Sequence, residues 1–205
     1  MLEIMPGIYT FRGLRMGRVY AIQDGDALTL IDTSVSGSAN AILRQITAAG
    51  FAPEAIQRIL ITHGHPDHIG GLNALRAATG AEVRGSTTDA NTFNYNVTHA
   101  LTEGDVIDEV MGGLHVLYTP GHSHGHVSFW QPERRVLFCG DVMMHFVRRL
   151  TQPFAPFSVD MAENRRSIRR VVALDPAVVC FGHGPPLTAG AGEKLGRFLA
   201  RLPAD

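Results

Sequence analysis

Four side chains that commonly bind metal ions stand within six consecutive positions of the sequence. The stretch THGHPDHIGG, residues 62–71, contains His63, His65, Asp67 and His68. Imidazole is a ligand for zinc, iron and copper, and a carboxylate can bridge two ions or complete a coordination shell. A lone histidine is more often a structural residue, but four such groups at this spacing predict part of a metal site.

Three further residues of the same kind each follow an apolar, strand-like run and stand in a turn that contains glycine. They are His122 in LYTPGHSHGH, Asp141 in VLFCGD and His183 in VVCFGHG. Glycine lets the backbone turn sharply and approach a neighbouring group closely. Binding groups in α/β sheets collect beyond the carboxyl ends of strands. We therefore expect all seven side chains to converge, which is enough for two ions about 3.5–4 Å apart.

The elements that must position these residues are strands interleaved with amphipathic helices. Asp24-Gly25 lies between two strand-like runs and predicts a tight hairpin turn. Asp160 and Glu163 resemble a capping box at the start of a helix. Apolar strands covered by helices are typical of layered α/β proteins. Further elements are predicted as helices with apolar positions at 39–46 and 69–75, strands at 58–61 and within 177–184, and a loop at 143–158.

Length and composition favour a small soluble protein of one domain. A chain of 205 residues suits a single domain, here residues 1–205. A formal net charge of −1 gives no broad basic surface for nucleic acid. No run of 18 apolar residues and no signal-peptide pattern is present, so we expect a cytoplasmic location and no membrane contact. Cys139 and Cys180 lie in apolar runs and are expected to be buried thiols without a disulfide.

The ordered motif His63-x-His65-x-Asp67-His68, followed by the three later residues, resembles the dinuclear motif of the metallo-β-lactamase superfamily. The resemblance covers nearly the whole chain and implies a four-layer αβ/βα sandwich, an α/β fold. It also implies the ligand sets: His63, His65 and His122 for one ion, Asp67, His68 and His183 for the other, and Asp141 as the bridge.

Within that superfamily the pattern looks most like the hydroxyacylglutathione hydrolase (glyoxalase II) and lactonase group. Asp141 stands where zinc β-lactamases carry cysteine or lack a bridging carboxylate, which disfavours β-lactam hydrolysis. Flavodiiron proteins carry glutamate at the place of His65. Hydroxyacylglutathione hydrolases add a C-terminal helical domain, whereas about 20 residues follow His183 here. We therefore expect cleavage of a thioester, lactone or ester without a settled preference for glutathione conjugates.

Two divalent ions explain the expected chemistry. Metal binding lowers the pKa of water from 15.7 to about 7, so a metal-bound hydroxide can attack an acyl carbonyl at neutral pH. The second ion can stabilise the oxyanion or the leaving group. Asp67 is expected to be catalytic, as a ligand that also orients the hydroxide. Zinc is the expected metal, with iron and manganese as alternatives for mixed nitrogen and oxygen donors.

The segment 143–158 is apolar for a predicted loop and follows the bridging aspartate directly. Exposed apolar patches usually bind something, so this segment is expected to line a substrate pocket or a homodimer contact. Arg148 or Arg149 is expected to meet an anionic group, and the segment 87–96 to form the facing wall. The predicted pocket residues are Met143, His145, Phe146, Phe154 and Phe157.

Two other functions are compatible with the same candidate ligands. Persulfide dioxygenases resemble the chain in fold and bind one iron through positions equivalent to His63, His122 and Asp141. A non-catalytic metal-binding module is the other alternative. Among the remaining histidines, His126 is expected to support a ligand or the adjoining strand, and His124 to lie outside the ligand set. In every case the expected partner is a small molecule.

Overall fold

The structure is a computed structural model that describes residues 1–146 and 149–203. Within these residues, seven strands form the first sheet, in the spatial order β1 to β7. Strands β1 to β4 are antiparallel neighbours, and β4 to β7 run parallel. The strands are β1 Leu2–Met5, β2 Ile8–Thr10, β3 Tyr20–Asp24, β4 Ala27–Ile31, β5 Ile56–Leu60, β6 Glu82–Gly85 and β7 His99–Ala100.

The predicted hairpin turn at Asp24-Gly25 is confirmed. Strand β3 ends at Asp24, which pairs with Ala27 at the start of β4. Gly25 adopts a φ of +61°, a conformation that side-chain-bearing residues avoid. The turn therefore fixes the register of β4, whose carboxyl end leads into the site.

The second sheet has five strands in the described part of the chain, in the order β14-β11-β10-β9-β8. Strand β10 is antiparallel to both of its neighbours, and β14 is parallel to β11. Consequently β9, β11 and β14 end at the same edge. The strands are β8 Val106–Ile107, β9 Leu114–Tyr118, β10 Val127–Gln131, β11 Val136–Gly140 and β14 Val178–Phe181.

The segment 143–158 is not the plain loop that the sequence predicted. Its described residues form a pair of antiparallel strands and a short helical turn. Strand β12, Met144–Phe146, pairs with β13, Arg149–Thr151. A 3-10 helix covers Ala155–Phe157. The strand pair places alternate side chains on opposite faces, which decides which of them reach the site.

The helices lie outside the sheets. Gly70 and Gly71 interrupt the helix predicted from Ile69 onward, because glycine is a poor helix former, so α2 and α3 are separate. The α-helices are α1 Ala39–Ala48, α2 Pro66–Ile69, α3 Leu72–Thr79, α4 Thr87–Phe93, α5 Met161–Val172 and α6 Ala191–Leu199, with a 3-10 turn at Pro53–Ala55.

The capping box predicted at the start of α5 is only half formed. The Asp160 carboxylate accepts hydrogen bonds from the backbone N–H groups of Ala162 and Glu163. Glu163 does not return the bond, because its carboxylate pairs with Arg166 instead. One side chain therefore serves as the N-cap of this helix.

Three buried apolar clusters separate four layers. One contains Ile42 of α1 and Leu75 of α3, packed against the first sheet. The second lies between the two sheets, and the third joins the second sheet to α5 and α6. The layer order is helix, sheet, sheet, helix, which confirms the predicted α/β sandwich of αβ/βα type. Cys139 and Cys180 are free and buried in these clusters, as predicted.

Among the residues that the structure describes, none of the helices combines the length and the apolar character needed to cross a membrane.

Phe138 offers a test of the contact between the sheets. Its ring is 1% exposed and meets the edge of the Tyr20 ring with 5.6 Å between centroids. We predict that Phe138→Ala lowers the free energy of unfolding by about 3–5 kcal/mol, because it leaves a cavity between the sheets. Urea unfolding would measure the loss. The half-exposed Val106, substituted by alanine, is the control and should change stability little; equal losses in both variants would contradict this packing.

Candidate metal centre

The seven predicted donors follow strands whose carboxyl ends meet at one edge of the sandwich. The cluster at 63–68 follows β5, and the later three residues follow strands β9, β11 and β14 of the second sheet. Four of these side chains are buried and His65, Asp67 and His183 are half-buried, with the Asp67 and His183 side chains 19% and 15% exposed. Two sheets thus bring residues from four distant segments to one place.

The donor atoms lie within contact distance of one another. Asp141 is central, because its two carboxylate oxygens face three imidazoles. The separations are 3.5 Å from His68 Nε2 to Asp141 Oδ1, 3.4 Å from His122 Nε2 to Asp141 Oδ2, 3.2 Å from His183 Nε2 to Asp141 Oδ2, 3.1 Å from His183 Nε2 to Asp67 Oδ2, and 3.2 Å from His63 Nε2 to His65 Nδ1.

Three overlapping groups of these residues could each hold an ion, since the donor atoms within each group lie within 4.8 Å of one another. Two of the groups share no residue, and the third shares His63 with one of them and His68 with the other, and adds Asp141. The groups are His63 with His65 and His122, Asp67 with His68 and His183, and His63 with His68 and Asp141.

Hydrogen bonds hold three imidazoles with Nε2 facing the centre. His68 Nδ1 lies 2.7 Å from Asp32 Oδ2, which can only accept, so Nδ1 carries the proton. Thr62 donates its hydroxyl proton to the same carboxylate oxygen and therefore accepts from His63 Nδ1, 3.0 Å away. His122 Nδ1 faces the Ser158 hydroxyl in the same way, 3.1 Å away. These bonds turn the Nε2 atoms of the three histidines toward the donor cluster, where a cation can bind them.

Asp32 is a supporting residue that the sequence reasoning missed. Its carboxylate is 2% exposed and binds the Thr62 backbone N–H, the Thr62 hydroxyl and His68. It directly follows β4, so the rule that identified Asp141, a polar residue after an apolar strand, would also have identified Asp32. Its φ of +59° shows that the fold holds this residue in an uncommon backbone conformation.

His126 supports the central aspartate rather than joining the donors. It is fully buried, and its Nε2 accepts the backbone N–H of Asp141 at 3.0 Å. Its Nδ1 donates to the Thr119 hydroxyl at 2.9 Å. This agrees with the supporting role expected from the sequence. His124, by contrast, is exposed at the surface of the same loop.

Gly182 allows the close approach of the last strand. A Cβ atom at this position would lie 2.0 Å from Asp141 Oδ1 and 2.7 Å from His68 Cε1. No larger residue fits without moving two donors.

The carboxylates give the site a strong attraction for positive charge. Burial lowers the pKa of His68, but the charges of Asp141 and Asp32 outweigh it and raise that pKa to about 9. Burial opposes the same change at His183, where hydrogen bonds to Asp141 and Asp67 raise the pKa to about 10. Burial raises the pKa values of Asp67 and Asp141, but the neighbouring histidines lower them by more, so both pKa values lie below the usual range. The carboxylates are therefore ionised.

The opposite shift occurs on the other side of the cluster. Burial lowers the pKa of His63 far below its usual value, and neighbouring histidines lower it further. Burial likewise lowers the pKa of His122 to about 4, against the charge of Asp141. Burial also lowers the pKa of His65. These three imidazoles are neutral at physiological pH, which is the form that binds metal ions.

Three buried atoms at the centre lack a hydrogen-bond partner within residues 1–146 and 149–203. They are His68 Nε2, His122 Nε2 and Asp141 Oδ1. A buried polar atom without a partner costs about 1–3 kcal/mol. All three atoms belong to the donor groups. Divalent cations therefore fit this site: the donor atoms are close together, the carboxylates are negatively charged, and the cations would bind the buried atoms that lack a hydrogen bond.

A cavity of about 460 Å³ opens over this cluster. Its floor includes His65, Asp67, His122, Asp141 and His183, and its walls are mostly apolar. The wall residues are Met16, Val35, Pro66, Met144, Phe146, Phe154 and Phe157.

The structure places two of the predicted pocket residues elsewhere. Met143 is fully buried in the cluster beneath the second sheet. The His145 ring packs on Phe181, and its Nδ1 faces the Pro185 carbonyl oxygen at 2.8 Å. The reason is strand alternation in β12, which turns Met144 and Phe146 toward the cavity and the residues between and before them away. Phe146, Phe154 and Phe157 do line the cavity.

Other predicted contacts also lie outside this cavity. Arg148 lies outside the described residues, and Arg149 is exposed on β13 without lining the cavity. The segment 87–96 forms α4 rather than a wall, and its Phe93 ring touches His65 with 5.1 Å between centroids.

Asp89 in α4 ties the two donor loops together. The carboxylate is fully buried and accepts from the Gly64 N–H at 3.0 Å, the Gly125 N–H at 2.6 Å and the Ser123 hydroxyl at 2.5 Å. Gly64 lies between His63 and His65, while Ser123 and Gly125 lie in the second donor loop, directly after His122. The sequence carried no signal for this role, because the residue lies inside a polar helix.

Comparison with known proteins identifies the family. The model of the metallo-beta-lactamase superfamily matches residues 12–183, and the chain belongs to this superfamily. A probable metallo-hydrolase, YybB of Bacillus subtilis, is 33% identical over 181 residues, covering 80% of this chain and 78% of that protein. The hydroxyacylglutathione hydrolase of Rhodobacter capsulatus is 37% identical over 130 residues, 62% of this chain and 48% of that protein. This chain thus aligns with only about half the length of that enzyme.

Solved structures agree on the fold. A metallo-beta-lactamase family protein from Thermus thermophilus superposes with a TM-score of 0.78 at 22% identity, covering 97% of this chain and 80% of that chain. BJP-1, a subclass B3 metallo-beta-lactamase of Bradyrhizobium japonicum, gives a TM-score of 0.69 at 26% identity, covering 88% and 76%.

We predict that Asp89→Asn lowers the free energy of unfolding by about 1.5–3 kcal/mol, because an amide cannot replace a carboxylate that accepts three hydrogen bonds. Chemical denaturation of the metal-free protein would measure this. Asp108→Asn is a matched control, since Asp108 is exposed. Unchanged stability in the Asp89 variant would show that this residue does not hold the two loops.

Proposed function

We propose that the chain is a metal-dependent hydrolase that binds two divalent ions and cleaves a thioester, a lactone or a carboxylic ester. Zinc is the proposed metal. The observation that carries this proposal is the set of buried, unpartnered donor atoms around Asp141 at the floor of an apolar cavity. The sequence identity of 33% to a probable metallo-hydrolase and of 37% to a hydroxyacylglutathione hydrolase supports the same reaction class.

The proposed ligand sets follow the donor groups. His63, His65 and His122 would hold one ion, Asp67, His68 and His183 the other, and Asp141 would contact both. When bound, such ions supply hydroxide at neutral pH and stabilise negative charge on an acyl oxygen.

The chain's own residues would supply the positioning. Asp67 is ionised and lines the cavity, so it can accept a hydrogen bond from the attacking water and orient it toward the substrate. Asp32 and Ser158 keep the histidine rings in place through their Nδ1 atoms. The apolar walls limit access of bulk water to the reacting carbonyl, which strengthens the electrostatic contacts at the floor.

The cavity also supports an apolar substrate portion. Phe154 and Phe157 are 59% and 69% exposed, and Met16 beside them is 57% exposed. Large apolar side chains in this number at one opening are unusual unless they bind something. We propose that they receive the apolar part of a small-molecule substrate. A second copy of this chain covering the same opening is the competing use, and a homodimer in solution would support it.

We predict two divalent ions per chain in the purified protein, measured by elemental analysis. Asp141→Ala and His65→Ala should each lower metal content and ester or thioester hydrolysis together. His124→Ala is the matched control, because this histidine lies in a donor loop but is exposed, and it should change neither quantity. A screen over thioesters, lactones, aryl esters and β-lactams would identify the substrate class.

Two results would contradict the proposal. Full hydrolytic activity in a metal-depleted variant would exclude a metal-dependent reaction. A content of one iron per chain, together with thiol-dependent oxygen uptake, would instead show that the protein is a persulfide dioxygenase.

We predict that replacing Phe154 and Phe157 together with alanine lowers the preference for long over short acyl chains roughly tenfold in kcat/KM, since a few methylene contacts carry that much discrimination. Val159→Ala is the control, because Val159 is exposed two residues after Phe157 but does not line the cavity. An unchanged chain-length profile in the double variant would remove these phenylalanines from substrate binding.

A further inference from the structure

A second cavity, of about 570 Å³, opens beside the first one. Its wall is the segment 11–18, between β2 and β3, and it extends to Gly182 and His183. Met16, Phe146 and His183 line both cavities. One molecule can therefore reach from the donor cluster into this second space.

The second cavity is strongly basic. Arg12, Arg15 and Arg18 line it, and no aspartate or glutamate stands among its lining residues in the part of the chain that the structure describes. Within the described parts of the chain, none of these three guanidinium groups forms an ion pair with a carboxylate. Arg12 and Arg15 are exposed, and Arg18 donates to the Thr10 hydroxyl at 3.2 Å. Arginines elsewhere on this surface, such as Arg84 and Arg170, do pair with glutamates.

Backbone contacts fasten the segment to the donor cluster, so the Cα positions that carry the arginines are fixed relative to it. The Arg18 backbone N–H donates to the Gly182 carbonyl oxygen at 2.7 Å. Gly17, at a φ of +61°, packs so closely that a Cβ atom there would lie 1.7 Å from the Asp67 carbonyl oxygen. At the other end, the Arg12 N–H donates to Gln45 Oε1 at 2.9 Å.

We propose that this cavity is a binding site for an anionic group of the substrate, a carboxylate or a phosphate, next to the cavity that Phe154 and Phe157 line. The inference rests on the proposed hydrolase function and narrows its substrate class to amphipathic esters or thioesters. Guanidinium groups bind carboxylate and phosphate in paired hydrogen bonds. Three of them without a carboxylate partner provide both the charge and the donors.

The test compares an ester pair and a thioester pair in which a carboxylate replaces a terminal methyl group. The esters are 4-nitrophenyl butyrate and the 4-nitrophenyl monoester of succinic acid, and the thioesters have propanethiol or 3-mercaptopropionate as the thiol part. With the metal-loaded protein we expect kcat/KM for the charged member to exceed that for the neutral member about tenfold in at least one pair. Arg12→Gln/Arg15→Gln should reduce this ratio about tenfold, mainly through KM. Raising the salt concentration should reduce it as well.

Arg76→Gln is the matched control, because Arg76 is exposed on α3 and lines neither cavity. It should leave the ratio unchanged. A ratio near one in the unmodified protein, or an unaltered ratio in the double variant, would overturn the proposed anion site while leaving the hydrolase function in place.

Binding of uncleavable amide analogues, measured by calorimetry, separates the two proposals. Tighter binding of the charged amide that is lost in the double variant supports the anion site, even if no ester is cleaved and the hydrolase function fails. An analogue with a phosphate in place of the carboxylate identifies which oxyanion the arginines prefer. Equal binding of charged and neutral amides would contradict the anion site directly.

Discussion

Two ionised carboxylates must be held among five imidazoles, largely out of contact with water, and the rest of the structure depends on this arrangement. Burial alone would protonate the aspartates and neutralise the histidines. The fold resolves the conflict by surrounding Asp141 with the Nε2 atoms of His68, His122 and His183. The result is a cluster that attracts positive charge and in which, among the described residues, three buried donor atoms lack a hydrogen-bond partner.

The sandwich topology makes this cluster feasible. Strands β9, β11 and β14 end at the same edge as β5, so donors from distant segments meet without long connecting loops. Asp32, His126 and Asp89 then fix the loops by hydrogen bonds to backbone and ring atoms. Metal affinity in such sites depends on these outer contacts as well as on the ligands.

The alternation of apolar strands and amphipathic helices predicted the layered fold, and the position of polar residues after strands predicted which side chains would converge. What the sequence could not give was the direction of side chains within segment 143–158. The segment was predicted to be a loop despite its apolar composition, whereas the pairing of β12 with β13 turns Met144 into the cavity and Met143 away from it. Such pairing depends on tertiary contacts that a local pattern does not contain.

Supporting residues were predicted unevenly for a similar reason. Asp32 follows a strand and carries the same signal as Asp141, so it was within reach of the sequence. Asp89 and the arginines of segment 11–18 were not, because their roles arise only where α4 and that segment pack against the donor loops. The two cavities together divide the surroundings of the cluster into an apolar side and a basic side.

The dinuclear centre is tested most directly by anomalous X-ray diffraction from crystals of the protein grown with zinc. The proposed ligand sets predict two anomalous peaks, one among His63, His65 and His122 and the other among Asp67, His68 and His183, with Asp141 between them. Zinc bound only outside this cluster, or no anomalous peak within it, would contradict the proposed centre.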